Sequence, residues 1–386
     1  MRRRLLTTTM AGVVAAVGLS TAGLAVTPAP AHAAPTPLCA FAPSAVPTTS
    51  GFTAEVKADP FATSAPANHI AVLDGFSSLS STVRSQNLAE TVAINHSATP
   101  ATVKAAVNDN YAIGGPAIFD SLGSRLSPAF FAALRAGQLP KTAQLLLGDE
   151  SLAGKRISTS KEKKHFNYKR PFEVAPQLIR HYGDSRPDLY EDVRGSGSFP
   201  SGHTTWGYSQ AFLIATMLPE VGPQILARAA QYGYHRIVLG VHYPLDVMGG
   251  RMAAQVTASE LLGDPKFAGL LSQARAELRG VLQARLGAPI ARVVACQQPS
   301  TSTADALRSY RQRETYSFTQ SGDTTRKIDV PLGAENLIRA AHPGLSNAAL
   351  RAILAKTALP SGYPLDKAGP TGGWQRLDIA KAWVTR

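Results

Sequence analysis

From His69 to Leu286 the chain repeatedly spaces apolar residues three and four positions apart, and that spacing confines it to helices packed on helices. Residues 83–92 and 128–147 carry the pattern first, 203–218 and 243–262 resume it, and 266–286 is amphipathic. Hairpin signals are few before residue 297, and no internal repeat is present. The expected fold class is therefore all-α, a helical bundle over 69–297. A chain of 386 residues can bury a substantial core, and a charged fraction of 17% suits a compact helical protein. Residues 149–200 interrupt the pattern with Lys, Arg, Gly and Ser, and long irregular stretches of this kind tend to be functional. Residues 34–68, rich in Pro, Ser, Thr and Ala, read as an irregular lead-in. Residues 298–386 read as a polar linker and a small C-terminal appendage of unassigned role, with helices expected over 334–342 and 347–359.

Residues 1–33 have the layout of an export signal. Arg2, Arg3 and Arg4 precede a weakly apolar run over 10–26, Pro28 and Pro30 break it, and Ala31-His32-Ala33 fits a small-x-small cleavage site. The paired arginines admit a twin-arginine route as well as the general one. No later stretch offers about 18 consecutive apolar residues, so no transmembrane anchor is expected after cleavage. The expected location is secreted, extracellular or periplasmic. In such an oxidising compartment Cys39 and Cys296, the two cysteines of the chain, are expected to form a disulfide. The net charge of +13 biases the protein toward anions: nucleic acid, an anionic envelope or small phosphorylated molecules.

Three separated segments narrow that choice. Residues 163–171 (Lys-Lys-His-Phe-Asn-Tyr-Lys-Arg-Pro) are strongly basic, and an Arg there can grip two phosphate oxygens while a Lys supplies a point charge. Alone, this segment reads equally as a solvated basic face. Ser198-Phe199-Pro200-Ser201-Gly202-His203 runs directly into an apolar helix, with Ser201 a good N-cap and the Gly202 and His203 amides free to face an anion. In the third segment, 235–246, Pro244 suits a first helical position, so His242 precedes a helix and Asp246 lies one turn on. Asp246 can then bond one ring nitrogen of His242 and leave the other free to attack. A purely structural His–Asp pair has the same spacing.

Together the three segments resemble the phosphate-site motif of the type-2 phosphatidic acid phosphatase superfamily: Lys, six residues, Arg-Pro; Pro-Ser-Gly-His; and Ser-Arg, five residues, His, three residues, Asp. Lys163 and Arg170-Pro171, Pro200-Ser201-Gly202-His203, and Arg236, His242 and Asp246 all keep the required spacing. One tetrapeptide arises by chance in roughly two chains per thousand of this length at average residue usage, and six further ordered positions remove coincidence. His235 departs from the pattern, standing where the family has Ser, which is expected to tune the site and not abolish it. The text from Tyr208 to Arg251 looks most like the soluble class A bacterial acid phosphatases.

The resemblance implies a metal-independent acid phosphatase. His242 would be the nucleophile, Asp246 its orienting partner, and His203 the acid and base. Lys163, Arg170, Arg236, Ser201, Gly202 and His203 would bind phosphate. The implied partners are small phosphorylated substrates, with no nucleic acid required, no cofactor, and vanadate as an inhibitor. Vanadium-dependent haloperoxidases share the motif and give a second enzymatic reading, with vanadate as cofactor. An envelope-binding protein using its basic surface and C-terminal appendage is the non-catalytic alternative. Residues 148–155 imitate a P-loop with the wrong glycine spacing, and Pro360-Ser361-Gly362-Tyr363 echoes the tetrapeptide without its His. His165 and His181 fall outside the motif and are expected at the surface.

Overall fold

The computed structural model describes residues 39–58, 61 and 67–386. The export signal proposed over residues 1–33 lies outside them. The described residues form helices and turns with no strand.

The helices that place the site are α1 (Ser81–Ser97), α2 (Pro100–Asn110), α3 (Ser160–Phe166), α4 (Gly202–Met217), α5 (Gly222–Val238), α6 (Pro244–Gly263), α7 (Pro265–Leu286) and α8 (Thr303–Thr315). Their starts follow local chemistry. Ser80, Thr99, Ser201 and Ser302 each accept a hydrogen bond from a first-turn amide, and Pro occupies the first turn of α2, α5, α6 and α7, where its missing N–H costs nothing. The stretch 128–147, expected as helical throughout, is two helices, Leu126–Arg135 and Pro140–Leu146. Gly137 takes φ 67° between them, a left-handed turn that glycine enters without a Cβ penalty.

Helix α4 is apolar on every side, and a helix of that kind is stable only when surrounded. Trp206, Tyr208, Phe212, Leu213, Ile214 and Met217 are all buried, with α5 and α6 packed along its length. At the N-terminal end of α4 the approach is close because α6 carries Gly250. A Cβ there would stand 2.7 Å from the Ser201 carbonyl oxygen and 2.8 Å from Thr204 Cβ. Any larger residue would push the start of α4 away from α6, separating the second motif segment from the third.

Residues 298–386 are not set apart from the bundle, as a linker and appendage would be; they belong to one compact unit with the rest of the described chain. Gln297 donates to Leu122 O (2.6 Å) and accepts from the Arg125 and Leu126 amides (3.1 Å each), which pins the start of the supposed linker. Helix α8 packs on α5, and Tyr310 is fully buried in the main apolar core. Buried Arg251 of α6 pairs with buried Glu314 at 3.4 Å and donates to Gln375 O and Leu377 O. The helix expected over 334–342 is only a 3-10 turn, Ala334–Leu337, followed by further turns, whereas the one expected over 347–359 forms as Asn347–Thr357.

Cys39 and Cys296 are joined in a disulfide that closes a sequence separation of 257 residues. Reduction is expected to lower unfolding stability by about 2–4 kcal/mol, through the freedom returned to the unfolded chain. Intact mass should show no free thiol in the folded protein, and a mass two hydrogens heavier would count against it.

Candidate active site

The fold brings the three motif segments to one place, at the N-terminus of α4. His242 sits just before α6 and Asp246 in its first turn. Asp246 Oδ2 accepts from the Tyr243 amide at 2.9 Å and from the Ser198 hydroxyl, and lies 3.1 Å from His242 Nδ1. The other ring nitrogen, His242 Nε2, is 3.1 Å from Arg170 Nη1. A guanidinium only donates, so Nε2 carries the lone pair and Nδ1 carries the proton toward Asp246. The acceptor nitrogen of His242 is therefore Nε2, on the side of the ring that faces Arg170.

That side is built by three cations from three elements. Lys163, in the last turn of α3, donates to Gly197 O at 2.6 Å. Arg170 is buried, with Nη1 on Val241 O (2.8 Å) and Nε on Val193 O (3.1 Å) and Ser196 O (3.2 Å). Arg236, in the last turn of α5, is fully buried, and only its Nη1 has a partner, Asn110 Oδ1 at 2.5 Å. Nε and Nη2 of Arg236 remain unpartnered, an arrangement that costs free energy unless an anion meets them. Ser201 caps α4 and is buried, while the Gly202 and His203 amides have no intrahelical carbonyl to bond. A Cβ on Gly202 would lie 3.1 Å from Thr159 Oγ1 and 4.0 Å from Lys163 Cε, so the bare Gly202 backbone lies close to both side chains.

His203 stands on the same first turn, half-buried, with Nε2 3.0 Å from the Asn110 carbonyl oxygen. His165 and His181 are exposed and lie outside this cluster; His181 stacks on Tyr190 at 3.9 Å between ring centroids.

Residues 150–263 match the family model of the PAP2 superfamily. This segment is a PAP2 superfamily domain. The chain is 28% identical to a non-specific acid phosphatase of Salmonella typhimurium over 159 residues, 41% of this chain and 61% of that one. It is 35% identical to an acid phosphatase of Zymomonas mobilis over 145 residues, 38% of this chain and 52% of that one. A non-specific acid phosphatase of Providencia stuartii is 28% identical over 174 residues, 45% of this chain and 65% of that one. The chain thus spans between about half and two thirds of the relatives it matches.

Within the PAP2 domain the cations act on one another. Burial, then the charge of Arg170, pulls the Lys163 ammonium down to about 7. Burial also lowers Arg170 and Arg236 to about 10, where both remain charged at neutral pH. Burial first, then the surrounding cations, holds the imidazoles of His242 and His203 well below their ordinary range. Asp246 is raised to about 6 by burial, against the bonds from Ser198 and the Tyr243 amide.

These shifts give a pH dependence. An anion bound beside Lys163 supplies a counter-charge and raises its proton affinity, so binding above pH 7 takes up a proton. Sulfate, which does not titrate in this range, should bind progressively more weakly from pH 7 to 9, approaching about tenfold per unit, with proton uptake visible by calorimetry in two buffers. A Lys163→Arg variant should flatten the profile, since its guanidinium stays charged. A flat profile in the unsubstituted protein would contradict the lysine's place in the site.

Sequence reasoning assigned no role to Ser198, Asn110, Asp109 or Gly197. Ser198 lies two positions before the Pro200-Ser201-Gly202-His203 tetrapeptide. Asp109 and Asn110 end α2 more than 90 positions before His203, and nothing local marks them.

Proposed function

We propose that this chain is an exported acid phosphatase that hydrolyses phosphate monoesters through a phosphohistidine on His242. One observation carries the reading: His242 Nε2, an acceptor held by Arg170 Nη1 while no anion is bound, stands among Lys163, Arg170, Arg236 and the first-turn amides of α4. The acid phosphatases similar to it support the same activity, and the disulfide suits an oxidising compartment.

In the first step Nε2 attacks phosphorus and forms the N–P bond as the ester P–O bond breaks. The departing oxygen takes a proton from His203. Asp246 keeps the proton of His242 on Nδ1 and stabilises the ring as it becomes cationic. The three cations and the Gly202 amide meet the charge on the equatorial oxygens. In the second step water attacks phosphorus, gives its proton to His203 and releases phosphate, which resets both histidines. His203 must begin protonated, and its lowered affinity for that proton in the free protein favours turnover at acid pH.

Because Lys163, Arg170 and Arg236 supply the positive charge, hydrolysis should persist in excess chelator. A substrate panel assayed with and without chelator tests this; activity lost to chelator and restored by a divalent ion would contradict it. Vanadate should inhibit competitively with phosphate, and rapid peroxide-dependent bromination by the vanadate-loaded protein would favour the haloperoxidase reading instead.

A further inference from the structure

Resting on the reading of His203 as acid and base, we propose that Asn110 is the positioning residue of the leaving-group side, held by a buried clamp of Asp109, His235 and Arg228. Asn110 touches two functional side chains with two different oxygens. Its side-chain Oδ1 accepts from Arg236 Nη1 at 2.5 Å, and its backbone carbonyl lies 3.0 Å from His203 Nε2. A carbonyl oxygen only accepts, so His203 Nε2 carries a proton in both charge states. The atom that gains and loses a proton during turnover is therefore His203 Nδ1. One residue at the end of α2 thus fixes both the tautomer of the acid–base histidine and the pose of a phosphate-binding arginine.

The preceding residue anchors that end. Asp109 is buried and receives Arg228 through both terminal nitrogens, Nη1 at 2.8 Å and Nη2 at 2.6 Å. Asp109 Oδ2 also accepts from His235 Nδ1 at 2.7 Å, and Arg228 Nε reaches on to Asp120 at 2.8 Å. Burial raises the proton affinity of Asp109, but the bonds from His235 and Arg228 outweigh it and keep the carboxylate ionised. His235, Arg236 and Arg228 all belong to α5, so the clamp locks α2 to the helix that bears the phosphate arginine. His235 is the position where this chain departs from the family's Ser, and its imidazole is the group that bridges the two helices. The departure adds a tie behind His203 and Arg236.

The clamp and the Asn110 side chain are separable by substitution. In His235→Ser the tie to Asp109 is lost, the Asn110 carbonyl is free to shift, and His203 is misplaced. Burst-phase phosphorylation should then fall about tenfold more on an alkyl phosphate than on nitrophenyl phosphate, part of what a general acid supplies. Asn110→Ala keeps the backbone carbonyl and removes Oδ1 from Arg236. It should weaken sulfate binding and raise KM on both substrates alike, leaving their ratio unchanged. If both variants reduce both substrates by one common factor, the residues are merely structural and the proposal is overturned.

A second readout does not depend on turnover. With 15N-labelled histidine, and the His203 signals identified by their loss in His203→Ala, long-range spectra should show His203 protonated on Nε2. In His235→Ser they should show a mixture of tautomers. Protonation on Nδ1 in the unsubstituted protein, or a pattern unchanged in His235→Ser, would overturn the clamp. A protein that hydrolyses no phosphate monoester would refute the proposed function, and the spectra would still decide the positioning role.

Discussion

Replacing His242 with Ala is expected to lower turnover of every phosphate monoester by one common factor, on the order of 10⁴ or more, the scale on which loss of a nucleophile acts. The factor is common because without Nε2 no phosphohistidine forms, whichever oxygen is to depart. Anion binding should survive, since Lys163, Arg170, Arg236 and the first-turn amides of α4 remain. Retained sulfate affinity with lost turnover separates removal of the nucleophile from collapse of the site. A His242→Ala protein that keeps more than a few per cent of activity would require another nucleophile.

His203→Ala has a different signature. An alkyl oxygen departs as a strongly basic alkoxide and needs a proton, whereas nitrophenolate leaves readily without one. General acid catalysis supplies about 10²–10⁴-fold, so the alkyl substrate should lose most of that and the nitrophenyl substrate little, in the phosphorylation step. Burst kinetics are required, because His203 also activates water in dephosphorylation and steady-state rates merge the two steps. Equal burst-phase losses on both substrates would contradict its role as general acid.

The chemistry-bearing residues were legible in the sequence because each sits beside a local structural marker. Pro171 and Pro244 set helix starts next to Arg170 and His242, and Ser201 caps the helix that carries His203. Spacing along a turn then relates His242 to Asp246. The supporting residues were not legible, because their role exists only after packing. Asp109 and Asn110 end a helix at position 110, and nothing near them in sequence says that α5 will deliver Arg228, His235 and Arg236 to that end. The same holds for Arg251 and Glu314, whose buried pairing ties the C-terminal segment to α6. Read in isolation, α8 is a short polar-faced helix, and its buried Ala306, Tyr310 and Glu314 become a pattern only once α5 is beside it. The 334–342 stretch failed as a helix where Gly333 and Gly344, both at positive φ, admit turns at either side.

Rapid-quench trapping tests most directly for the proposed covalent bond between phosphorus and His242 Nε2. Protein mixed with labelled substrate and quenched within the burst should carry label that is stable to alkali, labile to acid and confined to the peptide containing His242. The His242→Ala protein should carry none. Label on any other residue, or a full burst of alcohol release with no labelled protein, would contradict the account.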